Sequence, residues 1–261
     1  MRKIVWLTIF VPIVLLFFSF QQSAKDPVGK ISFYLNRVFI IPSGSSNLRY
    51  AQFNMDVFPG DKIETKKESR CELTLRNGDI VRIDENSIFT LEDVEISEQA
   101  IKAESFLSIG KIWSNIKKIF TDEDKFKVKS PSAVIAVRGT IYRVNANEDT
   151  TTEVIVYDGE VEVGPQVAGT GAVDTTKKVP EAEEPKGPPQ EVAPPEEVPG
   201  PTEVAPPEEV SVETWLEIVK AQQQIIVKPD GSYEKMEYDM AEDAKLDWVQ
   251  WNKKRDELLE R

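Results

Sequence analysis

Short runs of alternating apolar and polar residues recur from Ile31 to Val163, and turn-forming dipeptides separate them. This pattern is typical of half-buried β-strands. Residues 106–120 fit neither the strand period nor the helix period well, so their structure is left open at this point. We therefore predict a mainly β region of stacked short antiparallel strands over residues 26–164, arranged as a sandwich or as a short solenoid.

The first clear hairpin has its turn at residues 77–78, and burial decides its register. A two-residue turn would set Arg82 opposite Leu73 on the apolar face. A three-residue loop that ends in a left-handed glycine pairs Leu73 with Val81 instead and keeps that face apolar. We choose the three-residue loop, which makes Cys71 a buried and unreactive thiol.

A second hairpin is predicted at residues 158–159, where the dipeptide Asp-Gly favours a two-residue turn. Such a turn would pair Val156 with Val161 and Val154 with Val163. Both valine pairs would then lie on one face, so the turn signal and the apolar pattern agree.

An apolar run covers residues 4–20 and directly follows the positive charges of Arg2 and Lys3. Such a segment is typical of an export signal or of an N-terminal membrane anchor. As a helix it would span about 26 Å, slightly less than the roughly 30 Å hydrocarbon core, so its length does not decide between the two. Both interpretations assign residues 1–25 to targeting and place the rest of the chain outside the cytoplasm.

Residues 165–210 hold 11 of the 17 prolines and no aromatic residue. The unit at residues 191–198 recurs unchanged at residues 203–210, and the segment carries ten acidic against three basic residues. It cannot bury enough apolar surface to offset the entropy of ordering, so we predict a disordered, acidic, proline-rich linker. The linker would act as an extended spacer between two folded regions, residues 26–164 and residues 211–261.

The sequence of the last region, residues 211–261, predicts a small helical tail. A first helix over residues 211–224 can be capped by Ser211, and the sequence at residues 228–231 favours the turn of a small hairpin. A second helix is predicted from Met240, with one stripe formed by Ala244, Trp248, Trp251, Arg255 and Leu258. About fifty residues form a poor independent core, so the stripe needs a partner surface, either the β region or another protein.

Composition narrows the possible chemistry, because the chain has no histidine, one cysteine and a net charge of −13. The lack of histidine excludes His-based general bases and His ligands of zinc or haem, and a lone cysteine excludes an intrachain disulfide. The negative charge argues against nucleic-acid binding. The acidic clusters at residues 122–124 and 148–149 lack the spacing of a calcium loop. We therefore predict a protein that is not an enzyme and has no cofactor, catalytic residue or metal site.

Several segments, in one order over roughly residues 28–163, resemble a FecR-type domain. They are Gly60–Thr65, Cys71–Gly78, Ser87–Leu91, Gly110–Trp113, Phe126–Ser132, Ala136–Thr140 and Val156–Val161. The resemblance implies an extracytoplasmic β-domain, whose namesake relays signals from an outer-membrane receptor to a cytoplasmic sigma factor. Only three residues precede the apolar run, so we expect an exported FecR-type protein without the cytoplasmic segment that holds a sigma factor.

Two places are candidates for partner binding. Arg138 and Thr140 flank Gly139 and would contact an anion or another ligand. The alternative is that residues 138–140 serve only the close approach of neighbouring strands, which Gly139 permits. In the tail the candidates are Trp248, Trp251, Asn252 and Arg255; tryptophan and arginine are enriched at binding hot spots. For these the alternative is docking on the chain's own β region.

These observations together predict a binding or scaffolding module of the bacterial cell envelope, located in the periplasm or at the envelope. Its partner would be an envelope protein or a cell-wall glycan, with membrane association through residues 4–20 if that segment is not cleaved. The alternative is an accessory part of envelope signal sensing, in which a separate protein carries the signal to a sigma factor.

Overall fold

The computed structural model describes residues 26–96, 101–117, 125–166 and 216–259. The apolar run at residues 4–20, the acidic cluster at residues 122–124 and most of the predicted linker lie outside the described residues. The described part contains seventeen strands and two helices.

The strands are β1 Gly29–Leu35, β2 Val38–Ile41, β3 Arg49–Tyr50, β4 Asp56–Val57, β5 Lys62–Thr65, β6 Arg70–Leu75, β7 Ile80–Ile83, β8 Ile88–Ile96, β9 Ile101–Asn115, β10 Lys125–Lys129, β11 Ala133–Val137, β12 Ile141–Ala146, β13 Thr152–Asp158, β14 Glu160–Pro165, β15 Glu217–Lys220, β16 Gln223–Val227 and β17 Tyr233–Glu237. The helices are α1 Met240–Asp243 and α2 Asp247–Leu259. The open segment at residues 106–120 is therefore strand β9 over most of its described length.

Two layers of strands share β9. In the first layer, sheet A, the order is β4-β1-β6-β7-β9-β12-β13-β16-β17. In the second layer, sheet B, the order is β3-β2-β5-β8-β9-β10-β11-β14-β15. Strand β9 pairs in sheet B up to Ile109 and in sheet A from Gly110. Strands β9 and β10 are parallel, and the other pairs among the described strands are antiparallel.

The apolar faces of the two sheets pack against each other and form one core. Leu73 and Val81 contribute from sheet A, and Leu91 and Val163 contribute from sheet B; all four are buried. Because side chains alternate along a strand, the polar residues between them lie on the outer faces. The prediction of a mainly β fold is confirmed, with the strands arranged in two facing sheets.

The hairpin between β6 and β7 has the predicted register. Leu73 pairs with Val81 and Cys71 pairs with Ile83, and Gly78 has a φ of 85°. Cys71 is fully buried, and burial raises the pKa of its thiol far above the ordinary range. Its prediction as a buried thiol is confirmed.

The predicted hairpin at residues 158–159 is wrong. Strand β13 pairs with β12 and β16 in sheet A, whereas β14 pairs with β11 and β15 in sheet B. The chain crosses from one sheet to the other at Gly159. The valines on either side are buried as expected, but they belong to two facing layers, since an apolar alternation fixes the buried face and not the neighbouring strand.

Two glycines mark tight contacts between chain segments that cross between the sheets. At Gly110 the φ is 99°, and an added Cβ would overlap Ser87. At Gly159 the φ is 82°, and an added Cβ would lie 2.9 Å from the carbonyl oxygen of Gly139 and from Oγ1 of Thr140. Only a residue without a Cβ fits these two corners without a shift of the neighbouring backbone.

The predicted helix over residues 211–224 is wrong for its described part. Residues 217–220 form β15 on the edge of β14, and residues 223–227 form β16 on the edge of β13. Val219 and Ile225 are buried in the core, and pairing with existing sheet edges overrides the weak local preference for a helix. The hairpin expected around residues 228–231 is confirmed as β16 and β17.

The two regions that the linker was expected to hold apart are parts of one structure. Val163, shortly before the linker, pairs with Glu217, shortly after it. The interpretation of the linker as a spacer between separate folded units is therefore wrong, because the described strands on either side of it, β14 and β15, pair with each other in sheet B. The bounds of the four segments of the chain stay a prediction.

Candidate functional site

Helix α2 lies on the outer face of sheet A. Its residues Trp248 and Val249 are buried and form a small apolar cluster with Trp113 of β9. The helix buries Trp248, Val249, Asn252 and Asp256. The predicted stripe was wrong at its two ends, since Ala244 and Leu258 are exposed. The buried face instead follows the spacing of 248, 252 and 256, one helical turn apart.

Arg82 of β7 lies at the centre of this contact and is fully buried. Its Nε donates to Oε2 of Glu72 at 2.7 Å, and its Nη1 donates to Oδ1 of Asp256 at 2.7 Å. Asp256 also accepts hydrogen bonds from Nε1 of Trp113 at 2.9 Å and from Nδ2 of Asn115 at 3.1 Å. A single carboxylate of α2 therefore satisfies donors from two strands of sheet A.

Arg255 of α2 completes the network around Glu72. Its Nε and Nη2 donate to the two carboxylate oxygens of Glu72, each at 2.9 Å, in the two-pronged geometry that makes such pairs strong. Burial by itself would raise the pKa of Glu72, but the hydrogen bonds from Arg255 and Arg82 hold it below its usual range. Glu72 is therefore ionised at neutral pH and links the helix to the sheet.

Guanidinium groups and aromatic rings alternate along the same contact. The guanidinium of Arg70 lies 5.2 Å from the ring centre of Trp248 and 5.0 Å from that of Trp251. The guanidinium of Arg255 lies 5.0 Å from the ring of Trp251 and 4.6 Å from the ring of Phe33. Each such contact contributes about 0.5–1 kcal/mol at exposed sites and more when water is excluded. The stack holds α2 in one orientation on the sheet.

A second set of polar contacts fixes α1. Nη2 of Arg143 pairs with Oδ1 of Asp243 at 2.9 Å, and the hydroxyl of Tyr157 donates to Oδ2 of the same carboxylate at 2.9 Å. The ring of Tyr157 stacks on that of Trp113, with 4.3 Å between the ring centres. Burial raises the pKa of Tyr157, so its hydroxyl stays a neutral donor. Both helices are thus tied to the outer face of sheet A.

The structure brings the four predicted tail residues together, and their contacts lie within the chain. Trp248 and Asn252 are buried, while Trp251 and Arg255 are half-buried against sheet A. Nδ2 of Asn252 donates to the carbonyl oxygen of Trp248 at 2.7 Å. Docking on the chain's own sheet, which was one of the two alternatives, is what the described residues do; a role of the four in partner binding stays a prediction.

Arg138 and Thr140 lie at a corner between β11 and β12, apart from the tail helix. Oγ1 of Thr140 donates to the carbonyl oxygen of Glu160 at 2.7 Å and lies 3.0 Å from that of Arg138. Thr140 is buried, and Arg138 is exposed. Thr140 therefore links the segment between β11 and β12 to the start of β14, which agrees with a packing role for residues 138–140.

Sequence reasoning missed the residues at the centre of the contact, namely Glu72, Arg82, Trp113 and Asp256. A signal for two of them was present, because the register chosen for the β6–β7 hairpin sets Glu72 opposite Arg82 on the outer face. An ion pair facing outward from a sheet gives no sign that a helix covers it.

Comparison with known families supplies the context for this fold. Residues 61–162 match the family model described as FecR protein. The chain carries a FecR domain. The match runs from the start of β5 to β14 and so contains Glu72, Arg82 and Trp113. Strands β1–β4, strands β15–β17 and both helices lie outside the matched residues.

Among solved structures, two crystal structures of a candidate anti-sigma factor from Parabacteroides distasonis, at 1.65 and 2.50 Å resolution, resemble this chain. Each has 17% sequence identity and a TM-score of 0.42. Each match covers 68% of this chain, and the chain spans 60% of the length of those structures. No curated protein matches the chain.

Beside the C-terminal end of α2 the outer face of sheet A is uncovered. A groove of about 550 Å³ lies there, which we call the open groove, lined by Ser32, Thr74, Ile80, Asn115, Ile141 and Leu259 among others. A second groove of about 530 Å³ adjoins it at Ser32 and Thr74, and Phe53, which is 73% exposed, lines this second groove. Together the two grooves form a partly apolar surface next to the docked helix.

Two further properties of the FecR domain and tail concern metals and membranes. Among the residues that the structure describes, no group of three or more acidic or cysteine side chains lies close enough to hold a metal ion. In the same residues, neither helix has the length and apolar character needed to span a bilayer.

Proposed function

We propose that this protein is a non-catalytic binding or scaffolding module in the extracytoplasmic part of a bacterial cell envelope. The FecR domain supports a regulatory or sensing context, since proteins of this family are regulatory and envelope-associated. The N-terminal apolar run after two positive charges supports export. The partner is an envelope protein or a cell-wall glycan.

One observation carries the proposal: the docked helix leaves the open groove and its neighbour uncovered. The tail residues of hot-spot type are occupied by contacts with sheet A, so they offer little surface to a partner. Phe53 and Leu259, which are 73% and 55% exposed, are apolar side chains that remain at the surface beside these grooves. Partner-binding surfaces commonly combine an apolar centre with a polar rim.

The test is site-specific photo-crosslinking of the full chain in the cell that makes it. A photoreactive phenylalanine analogue replaces Phe53 beside the open groove or, as the matched control, Glu162, which is exposed on the outer face of sheet B. We expect a crosslinked envelope protein, or cosedimentation with isolated cell-wall sacculi that Phe53→Asp abolishes. Equal products from both positions, or none from Phe53 together with no wall binding, would contradict the proposal.

The bait has to be the full chain. Separate fragments ending before and beginning after the linker would divide both sheets, because β15 pairs with β14 and β16 pairs with β13. Such fragments would expose unpaired edges and bind nonspecifically.

The family match favours a second candidate function, namely an accessory role in envelope signal sensing. In that case a separate membrane protein carries the signal inward to a sigma factor. The same crosslinking experiment separates the two: a transport receptor or a sigma-linked membrane protein captured at Phe53 would favour sensing. Wall material or a structural envelope protein would favour scaffolding.

Membrane association through residues 4–20 depends on whether that segment is retained. The intact mass of the mature protein decides this directly, since cleavage near residue 24 removes the whole apolar run.

A further inference from the structure

A small polar pocket lies at the N-terminal end of α2, on the side of the helix away from the open groove. Its volume is about 270 Å³. Four elements line it with Arg70 of β6, Lys111 of β9, Arg143 and Asn145 of β12, and Trp248 of α2. The acidic residues Asp84, Glu85 and Asp247 line it as well. The pocket is therefore built where the tail helix meets the centre of sheet A.

Three buried polar atoms in this pocket have no hydrogen-bond partner in the described part of the chain. They are Nε of Arg143, Oδ1 of Asn145 and Nε1 of Trp248. Their side chains are 5%, 8% and 6% exposed. A buried polar group without a partner is unfavourable by about 1–3 kcal/mol, so three around one pocket point to a bound species.

The orientations of these side chains are fixed by their other polar atoms. Nη2 of Arg143 is held by Asp243 at 2.9 Å, and Nδ2 of Asn145 donates to the carboxylate of Glu153. Because Nδ2 is the donor to Glu153, the amide oxygen of Asn145 is the atom left over. The pocket thus presents two N–H donors and one acceptor oxygen in set directions.

Three basic and three acidic side chains line the pocket, so the case for an anion rests on the two unpartnered N–H donors and not on the summed charge. Arg70 is paired with Asp84 and Asp247, and Arg143 is paired with Asp243. Lys111 forms no close ion pair within the described ranges, and the carboxylate of Asp84 lies near enough to interact with it. The N-terminal end of a thirteen-residue helix adds partial positive charge on the same side.

We propose that this pocket binds a small carboxylate that carries a neighbouring hydroxyl or amino group, that is, an α-hydroxy or α-amino acid. The carboxylate accepts from Nε of Arg143 and Nε1 of Trp248 and lies near Lys111. The neighbouring hydroxyl or amino group donates to Oδ1 of Asn145. This site is separate from the open groove, so its occupancy does not depend on the proposed partner.

The indole N–H of Trp248 allows a direct test by ¹⁵N–¹H NMR. The labelled full chain, in detergent micelles, is titrated with lactate and with serine, and Trp248→Phe assigns the resonance. We expect a saturable shift of the Trp248 indole signal, and an affinity about tenfold weaker for acetate, which lacks the second group. Glycerol, which lacks the carboxylate, should produce no saturable shift.

The same spectrum contains an internal reference, because Nε1 of Trp113 is already bonded to Asp256 and should not move. Lactate and serine are distinguished by which of them saturates at the lower concentration. No saturable shift with either, or equal shifts with acetate and glycerol, would overturn the proposal.

Two variants locate the ligand. Arg143→Lys keeps the positive charge for Asp243 but removes the Nε–H, and Asn145→Ser shortens the acceptor side chain; each should weaken binding about tenfold or more. Lys254→Ala, on the exposed face of α2, is the matched control and should leave binding unchanged. If Arg143→Lys does not fold, Asn145→Ser alone decides. Binding that survives the substitutions places the ligand elsewhere and overturns the assignment.

Discussion

Both sheets carry ion pairs on their outer faces, but the pairs on sheet A are buried and those on sheet B are exposed to water. On sheet A, Arg82 and Glu72 pair at 2.7 Å beneath α2, with side chains 0% and 7% exposed. On sheet B, Glu104 pairs with Lys127 at 3.0 Å and with Lys129 at 2.7 Å, with all three side chains between 30% and 39% exposed. The ion pairs look alike in distance and differ in their access to water.

This difference decides what each set of charges contributes. Exposed pairs are solvated and screened and contribute about 0–1 kcal/mol each. A buried pair adds little net stability over an apolar replacement, yet removal of one partner leaves an uncompensated charge and destabilises by about 3–5 kcal/mol. Sheet A therefore depends on its charges to fix where α2 lies, whereas the exposed pairs on the central strands β9 and β10 of sheet B contribute little to stability.

The largest effect is expected for Asp256→Ala. The substitution removes the acceptor of Nε1 of Trp113 and of Nδ2 of Asn115. It also removes the nearest acceptor of Nη1 of Arg82, which keeps only the longer contacts with Asn252 at 3.4 Å. We expect a loss of about 3–5 kcal/mol in the free energy of unfolding, limited by the free energy with which α2 docks. Urea denaturation followed by tryptophan fluorescence measures it.

Asp247→Ala is the matched control on the same helix. Its carboxylate also pairs with an arginine, Arg70, but is 85% exposed. The expected loss is under about 1 kcal/mol. Equal effects of Asp247→Ala and Asp256→Ala would remove the distinction between the buried and the exposed pairs.

The next effect concerns pH and Glu72. Because Arg255 and Arg82 hold the pKa of folded Glu72 below its unfolded value, the carboxylate stabilises the fold fully above the unfolded pKa, at about 4.3. That contribution falls as the pH drops from there through the lower folded pKa. Glu72→Gln should therefore lower stability at neutral pH and flatten the acid limb of the stability curve. Acid limbs of equal slope in the two proteins would contradict this assignment.

The sequence was informative where burial restricts the choices and silent where it does not. The register of the β6–β7 hairpin could be predicted because a slip by one residue would bury Arg82 among apolar side chains. The crossing at Gly159 could not be predicted, since the flanking valines are equally buried in a hairpin or in two facing sheets. The strands at residues 217–227 depend on the edges of β13 and β14, which lie far away in the sequence.

The same limit applies to the site. Tryptophan and arginine at helical spacing pointed to a contact face on α2, and the face exists. Asp256 could not be singled out from the sequence, because an acidic residue in the C-terminal half of a helix is disfavoured by the helix dipole. Its place becomes clear only once Arg82 and Trp113 lie opposite it. The helix dipole disfavours Asp256, yet this carboxylate is a group through which α2 binds sheet A.

The smallest effect is expected for Glu104→Gln on sheet B. Hydrogen bonds from Lys129 and Lys127 lower the pKa of Glu104, so its pairs add stability above its unfolded pKa and lose it in acid, as with Glu72. Since the pairs face water, the loss should be under about 1 kcal/mol and should shrink further at high salt. Urea denaturation midpoints of the wild-type protein and of Glu104→Gln, at low and at high salt, measure the size of the loss and its salt dependence. Asp256→Ala, measured in the same way, is the salt-insensitive reference. A loss as large as that of Asp256→Ala would instead show that sheet B is covered in solution, by a second copy or by a partner, and that its outer face is a buried interface like that of sheet A.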